Sequence, residues 1–160
     1  MTVESTPRHG GGVKVLHIED DRSVARSVAR LLRLQGYEVM SAVSGDHAIQ
    51  LIEDGLIPHL ILTDYHLPSG LAGDQVITEI ETRLGFKPPT LMLASVRGPC
   101  VEKMKPVADR IFAKPADMDV VLQEMARLLG TRVRGKSRPL ESRRPVGRAS
   151  EGPGARKESE

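Results

Sequence analysis

Val13-Lys14-Val15-Leu16-His17-Ile18 runs directly into Glu19-Asp20-Asp21, and the reading of this stretch decides the fold. A short, largely apolar and β-branched run that stops abruptly has the pattern of a buried strand. Here it delivers three acids to the strand's carboxyl end. Downstream, Val24, Val28, Leu31, Leu32 and Leu34 recur at helical spacing between Arg22 and Gln35, and Gly36 supplies a stop. Upstream, residues 1–12 are polar and end in Gly10-Gly11-Gly12, a flexible lead with nothing to bury.

The strand–helix alternation then repeats. Glu38–Ala42 reads as a second strand, Asp46–Glu53 as a helix with Ala48, Ile49 and Ile52 on one face, and Leu60–Thr63 as a third strand ending at Asp64. Asp74–Leu84 follows as a helix carrying Val76, Ile77, Ile80 and Leu84, and Thr90–Ala94 as a fourth strand. Pro99 and Pro106 bracket Val101–Val107, which limits any helix there to about two turns. Arg110–Ala113 is a fifth strand leading to Lys114-Pro115. Met118–Leu129 is a closing helix, with Asp117 placed to cap it and Gly130 to end it. The pattern predicts one α/β domain over residues 13–130, its parallel sheet covered by helices on both faces. In such sheets the ligand site lies beyond the carboxyl ends of the strands, where strand order reverses.

Composition bounds the function. The chain has 160 residues, 39% apolar and 28% charged, which is ordinary globular usage with room for one core. Its net charge of +2 is unevenly spread: residues 131–160 hold nine Lys/Arg against four Asp/Glu, and residues 1–130 hold 14 against 17. Residues 131–160 have few large apolar side chains and are expected to form a disordered basic tail. The single cysteine, Cys100, permits no intramolecular disulfide, and no secretory apolar stretch opens the chain. No apolar run approaches the roughly 20 residues that cross a bilayer. A cytoplasmic protein is expected.

The chemistry gathers at four predicted strand ends: Glu19-Asp20-Asp21, Asp64, Ala94-Ser95 and Lys114. Clustered carboxylates raise one another's pKa unless a cation holds them ionised. An all-oxygen donor set suits a hard divalent ion, and Mg²⁺ takes only one or two carboxylates, keeping waters and accepting phosphate oxygens. Phosphoryl chemistry follows from that ligand set. An aspartate can form an acyl phosphate as nucleophile, and a lysine places a point charge on phosphoryl oxygens; Asp64 and Lys114 fit these roles.

At these residues, and over Val13–Leu129 as a whole, the sequence resembles the response-regulator receiver domains of two-component signalling, which take phosphate from a histidine kinase onto an aspartate. The landmarks are Val15-Leu16-His17-Ile18-Glu19-Asp20-Asp21, Asp64-Tyr65-His66-Leu67-Pro68 with Gly70 and Gly73, and Ala113-Lys114-Pro115. The resemblance implies a flavodoxin-like sheet of strand order 2-1-3-4-5 and phosphorylation of Asp64. It implies that Asp20, Asp64 and the backbone carbonyl of His66 ligate Mg²⁺, that Glu19 acts through water, and that Lys114 contacts the phosphoryl group. The implied partners are a sensor histidine kinase or phosphotransfer protein and a downstream protein. The implied activity is that of a phosphoacceptor with at most slow self-dephosphorylation, not an enzyme.

Two positions depart from the family's pattern. A Ser or Thr usually ends the fourth strand to hydrogen-bond the phosphoryl group; counting from Asp64 puts Ala94 there, with Ser95 next, so the switch hydroxyl is missing or displaced by one. The aromatic switch residue usually stands three positions before the lysine, where this chain has Ile111, with Phe112 adjacent.

Competing readings rank lower. Arg132-Val133-Arg134-Gly135-Lys136 and Arg143-Arg144 have the charge to neutralise nucleic-acid phosphates. The tail offers no aromatic residue for stacking and no folded reading head, so a solvated linker or protein-docking tail is preferred. A metal-dependent phosphohydrolase ranks last, because nothing resembles a general acid or substrate pocket. His17 reads as a strand histidine, His66 as acting through its backbone, and Cys100 as an unremarkable loop thiol. His9, His47 and His59 follow no metal spacing.

Overall fold

The computed structural model describes residues 12–68, 70–95 and 100–131. The expected lead falls outside these residues but for Gly12, and so does the expected basic tail beyond Thr131. Strands β1 (Lys14–Ile18), β2 (Glu38–Ala42), β3 (Leu60–Asp64), β4 (Thr90–Ala94) and β5 (Arg110–Ala113) form one parallel sheet in the order β2-β1-β3-β4-β5. Helices α1 (Arg22–Leu34), α2 (Gly45–Glu53), α3 (Gly73–Leu84) and α4 (Cys100–Met104) run between the strands, and α5 (Met118–Leu129) closes the chain's described part. The expected fold and strand order are found. The chain reverses its progress across the sheet between β1 and β3, so a crevice opens above those strand ends.

Alternation along the central strands feeds two apolar layers. Leu16, Ile18, Ile61 and Met92 pack with Ile52, Ile77, Ile80 and Met104 from α2, α3 and α4. Val15, Leu60, Leu62 and Leu91 pack on the opposite face with Val28 and Leu32 of α1 and Val121 and Met125 of α5. Every residue of β3 and β4 is buried. Each large aliphatic side chain so placed contributes about 1.5–3 kcal/mol, which makes the middle of the sheet a firm base for what stands at its carboxyl edge.

The structure corrects two details. Val24 and Leu34, expected on the buried face of α1, are 44% and 66% exposed. The face that meets the sheet is Ala25, Val28, Ala29 and Leu32, because a helix lying close to a sheet seats small side chains that a count of large apolar residues passes over. Cys100 opens the short α4 and is not in a loop.

Candidate functional site

Asp21 ends the acidic run as the N-cap of α1, its Oδ1 accepting from the Ser23 and Val24 amides at 2.8 and 3.1 Å. A cap of this kind satisfies otherwise unpaired amides. Asp21 is thereby occupied, and two acids of the three remain for the crevice. The Glu19 amide bonds the Ala42 carbonyl at 3.0 Å, continuing the sheet pattern one residue past β1. Glu19 is accordingly buried and Asp20 is exposed.

Asp64, the last residue of β3, is 2% exposed. One carboxylate oxygen each from Glu19, Asp20 and Asp64 lie within 4.8 Å of one another. From the other side, the Lys114 amide bonds the Ala94 carbonyl at 2.9 Å, which fixes the lysine at the end of β5 and sends its side chain inward. Its Nζ stands 2.8 Å from Asp64 Oδ1. That contact is an ion pair, and among the described residues buried Asp64 Oδ1 accepts no hydrogen bond. The loop after β3 returns to α3 through Gly73, whose amide bonds the Tyr65 carbonyl at 2.9 Å. A Cβ on Gly73 would stand 2.5 Å from the Asp64 carbonyl oxygen.

Burial first, then the neighbouring Asp64 carboxyl, pushes the Glu19 carboxyl up to about 7, against a smaller opposing effect of the Asp21 amide. This is the behaviour expected of crowded, buried acids, and the Lys114 ammonium opposes it only weakly at Glu19. His17 lies below in β1, 1% exposed. Burial holds its imidazole down at about 4, the Asp64 charge opposing only in part, so the ring is neutral at pH 7 and its Nδ1 has no partner. The oxygen-only donor set, the unfilled lone pair on buried Asp64 and the raised Glu19 together fit a hard divalent cation.

The sequence-predicted residues Glu19, Asp20, Asp64 and Lys114 thus converge. His66 follows two residues after Asp64, its exposed ring edge-on to the Tyr65 ring with centroids 5.0 Å apart. It borders an open cleft of about 480 Å³ that Asp20, Leu67 and Gln75 also line. At the fourth strand the register is unbroken: Asp64 pairs with Leu93, and Ala94 with Ala113. Ala94 is 1% exposed and Ser95 is exposed, so no bulge turns Ser95 inward. Ile111 belongs to the α2–α3–α4 layer and Phe112 to the opposite one. Sequence reasoning missed the Gln75 side chain accepting from the Ala72 amide at 3.0 Å, which holds the start of α3. The signal was a glutamine three residues after the helix's first flanking position.

This crevice sets acids from the ends of two strands against a lysine from a third, at the carboxyl edge of a doubly wound α/β domain. The family of the response regulator receiver domain matches residues 15–126, and the chain belongs to that family. It is 30% identical over 115 residues to the Response regulator protein FleR of Pseudomonas aeruginosa, covering 71% of this chain and 24% of FleR. It is 34% identical over 88 residues to Protein PilG of the same organism, covering 54% of this chain and 64% of PilG. The chain therefore spans less than two thirds of either relative. Among solved structures, the Vibrio cholerae chemotaxis protein CheY4 superposes with a TM-score of 0.67 at 26% identity, covering 74% of this chain and 100% of CheY4. Among the described residues, no helix is long and apolar enough to cross a membrane.

Proposed function

We propose that this receiver domain accepts a phosphoryl group onto Asp64 from a histidine kinase or phosphotransfer protein, with Mg²⁺, and signals through protein–protein contacts in the cytoplasm. The observation that carries the reading is the buried Asp64 carboxylate, 2.8 Å from Lys114 Nζ and within 4.8 Å of Glu19 and Asp20 oxygens. Asp20, Asp64 and the His66 carbonyl would hold the ion, with Glu19 acting through water. When bound, Mg²⁺ supplies positive charge to the carboxylates and to the phosphoryl oxygens as charge develops there.

The chain's own groups perform the transfer. An Asp64 carboxylate oxygen attacks phosphorus while the bond from phosphorus to the donor nitrogen breaks, leaving an acyl phosphate and the donor imidazole. Lys114 neutralises a phosphoryl oxygen; its ammonium needs only to pass from the carboxylate it now faces to the group attached there. Glu19, raised in isolation, returns to its ionised form once positive charge enters the cluster. Ala94 presents a methyl where a hydroxyl would bond the phosphoryl group, so the switch at this position is weakened. Residues 13–130 form the receiver unit in this reading.

Acetyl phosphate with Mg²⁺, followed by intact mass and site location by mass spectrometry, tests it. Wild type gains one phosphoryl group at Asp64, and Asp64→Asn gains none. Equal labelling of the variant, with the group on Asp20 or Asp21, would show that the register assigned to the site is wrong.

A further inference from the structure

Charge is divided unequally between the two edges of the sheet. At the carboxyl edge the crevice holds Glu19, Asp20 and Asp64, and the first turns of α2, α3 and α5 add Asp46, Asp74 and Asp119. Among the described residues the cations there are Lys114 and Arg22. The acids of the first turns suit the helix dipoles. Those of the crevice serve no helix, and the buried Asp64 Oδ1 accepts no hydrogen bond. The carboxyl edge is thus a negative field, open to solvent through the cleft beside Asp20. At the amino edge α1, α3 and α5 finish on Arg33, Arg83 and Arg127.

The described chain ends at that amino edge. The Thr131 amide bonds the Ala126 carbonyl at 2.8 Å, and Thr131 Oγ1 lies 2.9 Å from the Tyr37 hydroxyl, just before β2. Beyond this point residues 132–148 carry seven Lys/Arg and one Glu. Reach decides which of them can return to the crevice. The 12 residues of α5 separate Thr131 from the carboxyl edge by about 18 Å. Arg132 and Arg134 fall short of it, since fully extended chain gains at most about 3.5 Å per residue. Arg144 stands 13 residues past Thr131, and a coil of that length spans about 20 Å. A tether that matches its span gives an effective concentration in the millimolar range. The way along α1 is closed to it by the charge of Arg26, Arg30 and Arg33.

We propose that residues 132–148 turn back along α5 and set the Arg143 and Arg144 guanidinium groups on the crevice carboxylates, Asp20 foremost, so that the chain's own segment competes with Mg²⁺ for the site. The regulatory consequence rests on Asp64 being the phosphoacceptor; the docking does not. A guanidinium fork matches a carboxylate with two parallel hydrogen bonds, and Asp20 is exposed, so it is met without opening the fold. Pairing between exposed charges is weak and screened by salt. The segment therefore holds the crevice loosely and gives way as the ion concentration rises.

Amide spectra of the ¹⁵N-labelled full chain test this with two charge-matched variants, both substituted outside the folded domain. Arg143→Gln/Arg144→Gln is expected to shift the amides of Asp20, Asp21 and Tyr65 from their wild-type positions. Arg132→Gln/Arg134→Gln, with the same change of net charge, should give less than a third of that shift. The wild-type positions should hold on tenfold dilution and move to those of Arg143→Gln/Arg144→Gln in about 0.5 M NaCl. At limiting Mg²⁺, acetyl phosphate should label Arg143→Gln/Arg144→Gln at least threefold faster than wild type. Superposable spectra of wild type and that variant would overturn the proposal, as would its labelling at the wild-type rate. Shifts that vanish on dilution would assign the contact to a second copy's segment, and equal effects of the two variants would assign it to net charge alone; either result also overturns it. The spectra read docking without phosphorylation, so the expected shifts with no labelling of any form would sink the phosphoacceptor reading and leave the docking standing.

Discussion

Gly73→Ala tests how closely the site depends on one main-chain approach. The added Cβ would stand 2.5 Å from the Asp64 carbonyl oxygen and 2.9 Å from Tyr65 Cα, whereas ordinary contact begins at 3.4 Å. Both obstacles are backbone, so no side chain can rotate away, and the start of α3 must separate from the end of β3 by about 0.9 Å. Such overpacking costs about 1–3 kcal/mol. Alanine recovers up to about 1 kcal/mol of helix propensity at this first position of α3, leaving a net loss of about 1–2 kcal/mol and a fall in Tm of roughly 3–8 °C. Displacement of the reacting carboxylate by a sizeable fraction of an ångström should also slow labelling by acetyl phosphate on the order of tenfold. Gly85→Ala is the control. Gly85 ends α3 at φ 75° with nothing near its missing Cβ, so alanine there strains the backbone and lowers stability while leaving the labelling rate unchanged. Urea denaturation and labelling kinetics, measured side by side, decide the matter. A Gly73→Ala variant as stable as wild type with an unchanged labelling rate would refute the reasoning.

Three further outcomes are expected. Asp20→Ala should weaken Mg²⁺ binding, by titration calorimetry, far more than Asp21→Ala, which instead costs about 1 kcal/mol of stability through the lost cap; the reverse ranking would shift the acidic pair by one residue. His17 is held near 4 in the fold against 6.5 when unfolded, so the unfolded chain protonates first and the stability present above pH 6.5 is lost towards pH 4, by up to about 3 kcal/mol. Glu19, raised to about 7, runs the opposite way. It is common to wild type and His17→Leu, so the difference between their denaturation curves in EDTA should carry the His17 loss, and parallel curves from pH 7 to 4 would exclude it. Ala94→Thr should enlarge the chemical-shift response of Ile111 to beryllofluoride, because a charge-assisted hydrogen bond contributes about 1.5–3 kcal/mol; a large wild-type response lost in Ser95→Ala would make Ser95 the switch residue.

The strands β2, β4 and β5 and helix α5 have the bounds read from the sequence, because each lies beside a local signal: Gly36 before β2, Pro89 before β4, Pro115 after β5, and the Asp117 cap and Gly130 around α5. The acids and Lys114 were legible for a related reason, since strand ends in a parallel sheet must converge on one edge. The face of α1 was not legible. Which side of a helix is buried depends on how near it lies to the sheet, and Ala25 and Ala29 give little hydrophobic signal for a contact that is close because they are small. The neutral state of His17 was equally hidden, because it follows from the burial of β1 between β2 and β3, which outweighs the opposing charge of Asp64, 47 positions away in the chain. Glu19 and Asp21 look interchangeable as neighbours in a run of acids; only the turn into α1 gives one to the crevice and the other to a helix end.

That last division has a thermodynamic consequence. Asp20, beside the crevice, is bonded directly to the residue whose carboxylate closes the first turn of α1. Occupancy of the crevice and fraying of that turn are therefore linked equilibria, and whatever holds Asp20 in place also lowers the population in which the turn is open. The amide protons of Ser23 and Val24, shielded by Asp21 Oδ1, make a natural gauge of this linkage. Their exchange with solvent should slow as the crevice fills, while the amides of α3 keep their own pace, so the chain carries an isotope-readable meter of its state without any attached label.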